Sequence, residues 1–262
     1  MSTKRRFEYD RRTFASLERA DTRQQKPKAR SAQLELALPA RWGGRRAGAG
    51  RPPRSARRCV PHGRRPAHRA DQPVHVTLRS VCRSLRTQFV FPTVRNAISA
   101  TNRSAPQKFR VAQYSIQGDH AHLIVEACDR ASLVEGVRGL CIRIARRVNR
   151  LLARRGKFFA DRWHGRALQT PRAVRHALVY VLANFRKHQP RDSAPLDVYS
   201  SAPYFGDFME FPFGAPIDES PNLLPRALAP PPNPPVLRAT TWLLAAGWKR
   251  HGKLSIRERP AS

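Results

Sequence analysis

An ordered region begins at Pro73, where apolar and polar residues start to alternate. The segment from Val74 to Arg79 alternates at every position, as is typical of a half-buried strand. A second strand is predicted from Phe109 to Ile116. It is followed by Gln117-Gly118-Asp119, a sequence that favours a hairpin turn, and then by an apolar run that continues to Ala127. These residues predict a hairpin, and its second arm begins with two histidines.

Apolar residues recur at helical spacing in three further segments. The longest of these opens with Ser132 and Glu135 in the spacing of a capping box, and Gly156 is a suitable C-cap for it. The last opens with Thr170-Pro171, a polar cap followed by proline at the first helical position. The predicted helices are 93–101, 132–156 and 170–188, and a short strand is predicted at 162–168. This order of elements predicts an α+β domain.

Composition divides the chain into three parts. Residues 1–72 are rich in Arg, Gln, Pro, Gly and Ala, and we expect a basic, disordered arm. Residues 73–189 contain the predicted strands and helices and form the folded domain. Residues 190–262 are predicted to be an irregular, proline-rich extension with one short helix near 239–247.

The net charge is the strongest indication of a partner. Lys and Arg total 50 against 18 acidic residues, which gives a formal charge of +32. A charge of this size favours binding to nucleic acid. No apolar stretch approaches the roughly 18 residues of a membrane span and the N-terminus is polar, so we expect a cytoplasmic protein that does not enter membranes. The four cysteines form no C-x-x-C pair and are interpreted as reduced thiols.

The two histidines of the hairpin are the first candidates for chemistry. Successive side chains of a strand point to opposite faces, so His120 and His122 share one face. Two imidazoles on one face can hold one cation. The alternative is an accidental spacing with one histidine serving only the core, and the two readings are equally favoured by the spacing alone. His75, on the first strand, is interpreted as structural.

The last helix carries a polar face with a tyrosine. Its apolar face contains Val174, Leu178, Val181, Leu182 and Phe185. Tyr180 and Asn184 lie on the opposite side, one turn apart, so the phenol and the amide can address the same point. The alternative is an ordinary half-exposed tyrosine.

Together these motifs resemble the REP-associated tyrosine transposases, which are single-tyrosine members of the HUH endonuclease superfamily. The resemblance covers roughly Pro73 to His188, and two segments carry it: Gly118-Asp119-His120-Ala121-His122-Leu123-Ile124-Val125, and the stretch from Phe159 through Val179-Tyr180-Val181-Leu182-Ala183-Asn184. The chain departs from the family at Ala121, where a bulkier aliphatic residue is usual, and at Phe185-Arg186, which replaces a frequent proline.

The resemblance implies a ferredoxin-like antiparallel sheet with helices packed on it, the HUH endonuclease fold. It implies that His120, His122 and Asn184 bind a divalent ion, Mg²⁺ or Mn²⁺, and that Tyr180 is the nucleophile. The implied enzyme is a transposase that cuts and joins single-stranded or hairpin DNA through a 5′-phosphotyrosine intermediate, as a monomer or homodimer. The alternative is a domesticated transposase, a non-catalytic nucleic-acid-binding protein on the same fold.

Basic side chains near these motifs are candidate contacts to DNA phosphates. They are Arg143, Arg147, Arg150, Arg154, Arg162 and Lys187. A solvated helix face explains the arginines of the 132–156 helix equally well. Tyr114, Phe159 and Trp163 are aromatic residues that could stack on bases, although each is more typical of a core.

Overall fold

A computed structural model describes residues 67–187, 196–210 and 233–260. Its elements follow the order β-α-β-β-α-β-α in the first of these ranges. They are β1 (Val74–Arg79), α1 (Phe91–Ser104), β2 (Phe109–Ile116), β3 (His120–Ala127), α2 (Arg130–Leu151), β4 (His164–Ala167) and α3 (Pro171–Ala183), followed by α4 (Trp242–Ala245).

The four strands form one antiparallel sheet in the order β2-β3-β1-β4. This is the ferredoxin-like βαββαβ arrangement, and the predicted α+β fold class is confirmed. The hairpin between β2 and β3 closes where Gln117 N donates to His120 O at 2.8 Å. The sheet order brings β1 next to β3, so the first strand of the domain borders the histidine strand.

Helices α1 and α2 cover one face of the sheet, where β3 contributes Ala121, Leu123 and Val125 to the core. Leu133, Val137 and three further apolar residues of α2 are buried against this face. A Cβ on Gly136 would lie 2.1 Å from the Phe109 ring, so only glycine lets α2 approach β2 this closely. The predicted apolar stripe of the long helix is therefore its core face.

Helix α1 extends two to three residues beyond its predicted range at each end, and both ends of the long helix α2 also differ from the prediction. The N-cap of α2 is Asp129, whose carboxylate accepts from Ser132 N at 2.7 Å, so the helix starts before the predicted capping box. Helix α2 ends at Leu151, and Gly156 lies beyond it with a positive φ. At each end the cap is a residue that lies three or four positions before the predicted one: Asp129 in place of Ser132, and Leu152 in place of Gly156.

Helix α3 packs on the other face of the sheet. Its N-cap is Thr170, whose hydroxyl accepts from Ala173 N at 3.1 Å, as predicted. Its α-helical part ends at Ala183, and a 3₁₀ turn from Asn184 to Lys187 follows. The predicted helix is therefore helical as far as Lys187 but tightens in its last turn, and its predicted last residue, His188, lies outside the described residues.

The C-terminal segment 233–260 packs beside α3. Its short helix α4 and the following 3₁₀ helix Gly247–His251 bury Leu243, Leu244 and Trp248 against the core of α3. On β3, Glu126 is 3% exposed and accepts hydrogen bonds from the backbone and hydroxyl groups of Thr240 and Thr241. This carboxylate connects the C-terminal segment to the sheet.

The segment 196–210 covers the other end of the sheet, beside β2. Ile116 N donates to Tyr199 O at 2.9 Å, and Arg86 forms a bidentate pair with the buried Asp197. Strand β4 therefore ends the sheet on the opposite side. Most of the predicted arm, residues 1–66, lies outside the described residues. In the predicted proline-rich extension, the same holds for residues 190–195, 211–232 and 261–262. In the described part of the chain, no helix is both long and apolar enough to cross a bilayer.

Candidate functional site

The candidate site lies on the sheet face covered by α3. Register places His122 of β3 opposite Thr77 of β1, and His120 opposite Arg79. Directly opposed residues of antiparallel strands share a face, so these side chains project together. His122 is 5% exposed, whereas His120 is half-buried. The strand alternation that predicted a shared face for the two histidines holds in the sheet.

His122 is the centre of a group of polar contacts. Its Nδ1 lies 3.3 Å from Thr77 Oγ1 and 3.3 Å from His75 Nε2. Its Nε2 lies 3.4 Å from the hydroxyl of Tyr180, which reaches it from α3. Both ring nitrogens of one buried histidine are therefore in contact with side chains from two other elements.

Aromatic rings surround this centre. The Tyr180 ring packs edge-on against His122 with centroids 4.9 Å apart, and His120 meets His122 edge-on at 4.8 Å. His75 packs against both His122, at 5.3 Å, and Tyr180, at 5.7 Å. Four rings from β1, β3 and α3 thus enclose one point, which holds each ring in a defined orientation.

His120 is oriented by its neighbour in the chain. Its Nδ1 lies 2.7 Å from Asp119 Oδ1, and Arg79 lies 3.6 Å from the other oxygen of that carboxylate. The hydrogen bond with His120, together with the positive charge of Arg79, holds the pKa of Asp119 below its usual value. An ionised carboxylate accepting from Nδ1–H leaves Nε2 as the ring nitrogen with a lone pair, which is the arrangement found in metal-binding histidines.

Asn184 is the first residue of the 3₁₀ turn after α3 and is buried. It follows Tyr180 by one helical turn, so it lies on the same side of the helix as the tyrosine. Among the described residues, no group of three His, Cys, Asp and Glu side chains forms a metal site. A set built on His120 and His122 would therefore need ligands of another kind, such as an amide, a carbonyl or water.

His75 is the site residue that the sequence reasoning missed. It was interpreted as structural, yet it contacts both His122 and Tyr180. Burial, with the nearby positive charges of His164 and Arg166, lowers its pKa to about 4. The signal was present in the sequence, because His75 and Thr77 are alternate polar residues of β1, but the pairing register needed to place them beside His122 was unknown.

Four of the six candidate phosphate contacts belong to α2 or directly follow it, and α2 lies on the far side of the sheet from His122. Helix α2 packs on the face opposite to His122, so its basic side chains are not brought to the site by the fold: Arg143, Arg147, Arg150 and Arg154. Arg162 directly precedes Trp163 at the start of the β4 region. Lys187 ends the 3₁₀ turn after Asn184, and its side chain lies outside the described part of the structure.

The three candidate stacking residues also differ. Tyr114 is fully buried between the sheet and α1, and burial raises the pKa of its phenol far above the usual value. It is unable to stack on a base without unfolding. Phe159 and Trp163 are partly exposed and pack at the border of the same core. Trp163 lies beside β4, the end strand of the sheet.

Comparison with known proteins gives a likeness in structure and no match in sequence. No protein-family model and no curated protein sequence matches the chain. Among solved structures, it is similar to a REP-associated tyrosine transposase bound to a REP hairpin, with 18% identity over 49% of this chain and 74% of that chain and a TM-score of 0.39. A likeness of this extent does not assign a family or an activity.

Proposed function

We propose that this protein is a DNA nicking and joining enzyme that uses Tyr180 as its nucleophile on single-stranded or hairpin DNA. The observation that carries the proposal is the 3.4 Å contact between the Tyr180 hydroxyl and Nε2 of His122. A phenol held against a buried imidazole is a candidate nucleophile with a fixed direction. The charge of +32 supports a polyanionic substrate.

The histidine pair has the chemistry of a divalent metal site. Each imidazole is held through Nδ1, His120 by Asp119 and His122 by Thr77 and His75. One tautomer of each ring places a lone pair on Nε2, which in His122 is the nitrogen that lies 3.4 Å from the Tyr180 hydroxyl. With Asn184 as an amide ligand, these residues would hold a divalent ion, and the family resemblance implies Mg²⁺ or Mn²⁺. Such an ion would supply positive charge to the phosphoryl oxygens.

The proposed reaction is a transesterification at phosphorus. The Tyr180 oxygen forms a bond to phosphorus while the bond from phosphorus to the 3′ oxygen breaks. The phenol loses its proton and the departing 3′ oxygen gains one, which yields a 5′-phosphotyrosyl end and a free 3′-hydroxyl. His176, which is exposed and lies one turn before Tyr180 on α3, is a candidate acceptor for the phenol proton. Joining is the reverse reaction and needs no ATP.

Position is the main contribution of the protein in this reaction. The ring contacts of Tyr180 with His122 and His75 restrict the phenol to one approach. In-line attack on phosphorus depends on such alignment. Arg166, opposite His75 on β4, places a positive charge on the strand next to the site. Arg162, a candidate phosphate contact, lies two residues before β4 in the chain.

The alternative function is nucleic-acid binding without turnover, which the net charge favours equally. Incubation with a 5′- and 3′-labelled hairpin oligonucleotide and Mn²⁺ separates the two. We expect a protein–DNA adduct that retains the label on the 5′-phosphate side of the break. Binding without any adduct in Mg²⁺ or Mn²⁺ supports the alternative.

Variants assign the roles in this assay. Tyr180→Phe should abolish the adduct without affecting folding, and the combined His120→Ala and His122→Ala exchange should abolish cleavage. The matched control is Tyr204→Phe, because the buried Tyr204 hydroxyl has no hydrogen-bond partner among the described residues. An adduct formed by Tyr180→Phe would show that another residue is the nucleophile.

A further inference from the structure

A groove of about 580 Å³ runs along β4, the end strand of the sheet. Its walls are the first turn of α2, with Leu133 and Val134, and the first turn of α3, with Thr170. The volume falls within the range of about 300–1,000 Å³ that is typical of small-ligand sites. The groove is therefore large enough for one unpaired nucleotide.

Trp163 provides a flat aromatic surface in this groove. It is partly exposed, and its ring lies across Gly165, where an added Cβ would come within 2.4 Å of the ring. Glycine at this position of β4 thus allows the indole to pack directly against the strand. Val134 on α2 is 38% exposed at the same groove. An aromatic face beside aliphatic groups is a surface on which any base can stack.

The polar groups of the groove suit the rest of a nucleotide. Arg130 and Arg166 line it, and no acidic side chain occurs among its described lining residues. Two guanidinium groups without a carboxylate to neutralise them complement a phosphate backbone.

His68 supplies an unused acceptor in the groove. Its Nε2 donates to Ala127 O at 2.9 Å, so in the neutral ring Nδ1 is an acceptor. This Nδ1 is buried and has no hydrogen-bond partner within the described ranges. A base can provide the missing donor with a ring N–H or an amino group.

The groove is continuous with the candidate active site through β4. His164 lines the groove and is paired with Thr77, whose Oγ1 lies 3.3 Å from His122. Arg166 lines it too and is paired with His75. A DNA strand whose phosphate is at Tyr180 can therefore continue over β4 and place a neighbouring base in the groove.

We propose that the groove along β4 binds one unpaired nucleotide of the DNA strand, stacking its base on Trp163 and holding its phosphates with Arg130 and Arg166. This inference rests on the proposed function for the identity of the ligand. It adds a second DNA-binding subsite at β4, which lies on the opposite side of β1 from β3. This subsite positions the DNA strand relative to Tyr180.

The test is a double-mutant cycle between protein and DNA in metal-free buffer, where binding alone is measured. Fluorescence anisotropy gives the affinity for a single-stranded oligonucleotide in which one abasic site is moved along the sequence. One abasic position should weaken binding to the wild-type protein by about 5- to 150-fold, as expected for loss of one stacked base. In Trp163→Ala the same abasic position should change the affinity less than about twofold.

Three further variants keep the test decisive. Trp163→Phe should retain most of the abasic effect, and Phe89→Ala should retain all of it, because Phe89 is an exposed aromatic residue outside the groove. Val134→Glu leaves Trp163 in place and puts an acid at the exposed rim, so it should weaken binding at least about fivefold. Arg166→Gln should lower the salt dependence of binding by about one counterion.

The same abasic penalty in wild type and Trp163→Ala would overturn the proposal, as would a wild-type protein without any sensitive position. The outcome is independent of cleavage. If wild type forms no adduct in any metal, the cycle still reports on the groove. If the groove proposal is wrong while the proposed function is right, Trp163→Ala still forms the Tyr180 adduct at saturating DNA.

Discussion

The carboxylate of Glu126 should be a major stabilising contact of the C-terminal segment. Its Oε2 accepts from Thr240 N at 2.9 Å and Thr240 Oγ1 at 3.0 Å, and its Oε1 accepts from Thr241 N at 2.8 Å and Thr241 Oγ1 at 2.7 Å. Arg110 Nε lies 3.8 Å away. Four donors therefore converge on one buried carboxylate. Glu126→Gln replaces one of its oxygens by an NH₂ group and hardly changes the volume of the side chain.

The magnitude follows from these contacts. If Oε1 becomes the NH₂ group, the N–H of Thr241 loses its acceptor. If Oε2 becomes the NH₂ group, the N–H of Thr240 loses its 2.9 Å bond and keeps only the longer contact of 3.2 Å to Oε1. In both cases the neighbouring hydroxyl can rotate and accept instead. A buried unpaired N–H costs about 1–3 kcal/mol, and the loss of charge from the remaining bonds costs about 1 kcal/mol more. We expect Glu126→Gln to lower the free energy of unfolding by about 2–4 kcal/mol, which is a decrease in Tm of roughly 5–15 °C.

Thermal and urea denaturation measure this change, and hydrogen exchange locates it. The amides of Thr240 and Thr241 should exchange faster in Glu126→Gln than in wild type. The control is Glu135→Gln, an exposed acid of α2, which should stay within about 0.5 kcal/mol. A Glu126→Gln protein as stable as the control, with unchanged protection of the two threonine amides, would show that the Glu126 carboxylate does not stabilise the C-terminal segment.

Three further predictions concern packing and titration. Gly136→Ala should destabilise the fold by about 1–3 kcal/mol because its Cβ would meet the Phe109 ring at 2.1 Å, whereas Gly139→Ala, with its nearest contact at 3.3 Å, should stabilise α2 by about 0.5–1 kcal/mol; equal denaturation midpoints would contradict this. The pKa of His75 is about 4 in the folded protein against 6.5 unfolded, so the unfolded state binds the proton first and stability should fall as the pH drops from about 6.5 to about 4. His75→Gln should flatten this part of the pH–stability curve, and an unchanged curve would disprove the assignment. Tyr204→Phe removes a hydroxyl without a described partner and should match or exceed wild type in Tm, so a clear loss would reveal a contact at that hydroxyl.

Alternation of residue types was sufficient to predict β1, because each residue of a half-buried strand shows by its own polarity which face it occupies. The bounds of β2 also agree with the prediction, although this strand is buried at six of its eight positions. The helical spacing of Tyr180 and Asn184 opposite the apolar stripe was equally local information. The shared face of His120 and His122 followed from the two-residue period of a strand.

Other features needed the tertiary structure. Polarity along β1 does not tell which strand will pair with it, so the contact of His75 with His122 became visible only with the register between β1 and β3. Glu126 interrupts an apolar strand, and its partners Thr240 and Thr241 lie more than a hundred residues away in the chain. The residues next to Tyr114 in the chain do not tell whether its ring is exposed or buried, and in the structure it is fully buried.

The physical reason is the range of each interaction. Secondary structure and the division of a strand into two faces depend on neighbours within one or two turns, so the amino-acid sequence determined the order of strands and helices and the faces on which Tyr180, His120 and His122 lie. Register, layer order and the approach of distant segments depend on contacts between elements. Only the tertiary structure could decide that His122 meets Tyr180, that the arginines of α2 lie across the sheet from them, and that a groove opens beside Trp163.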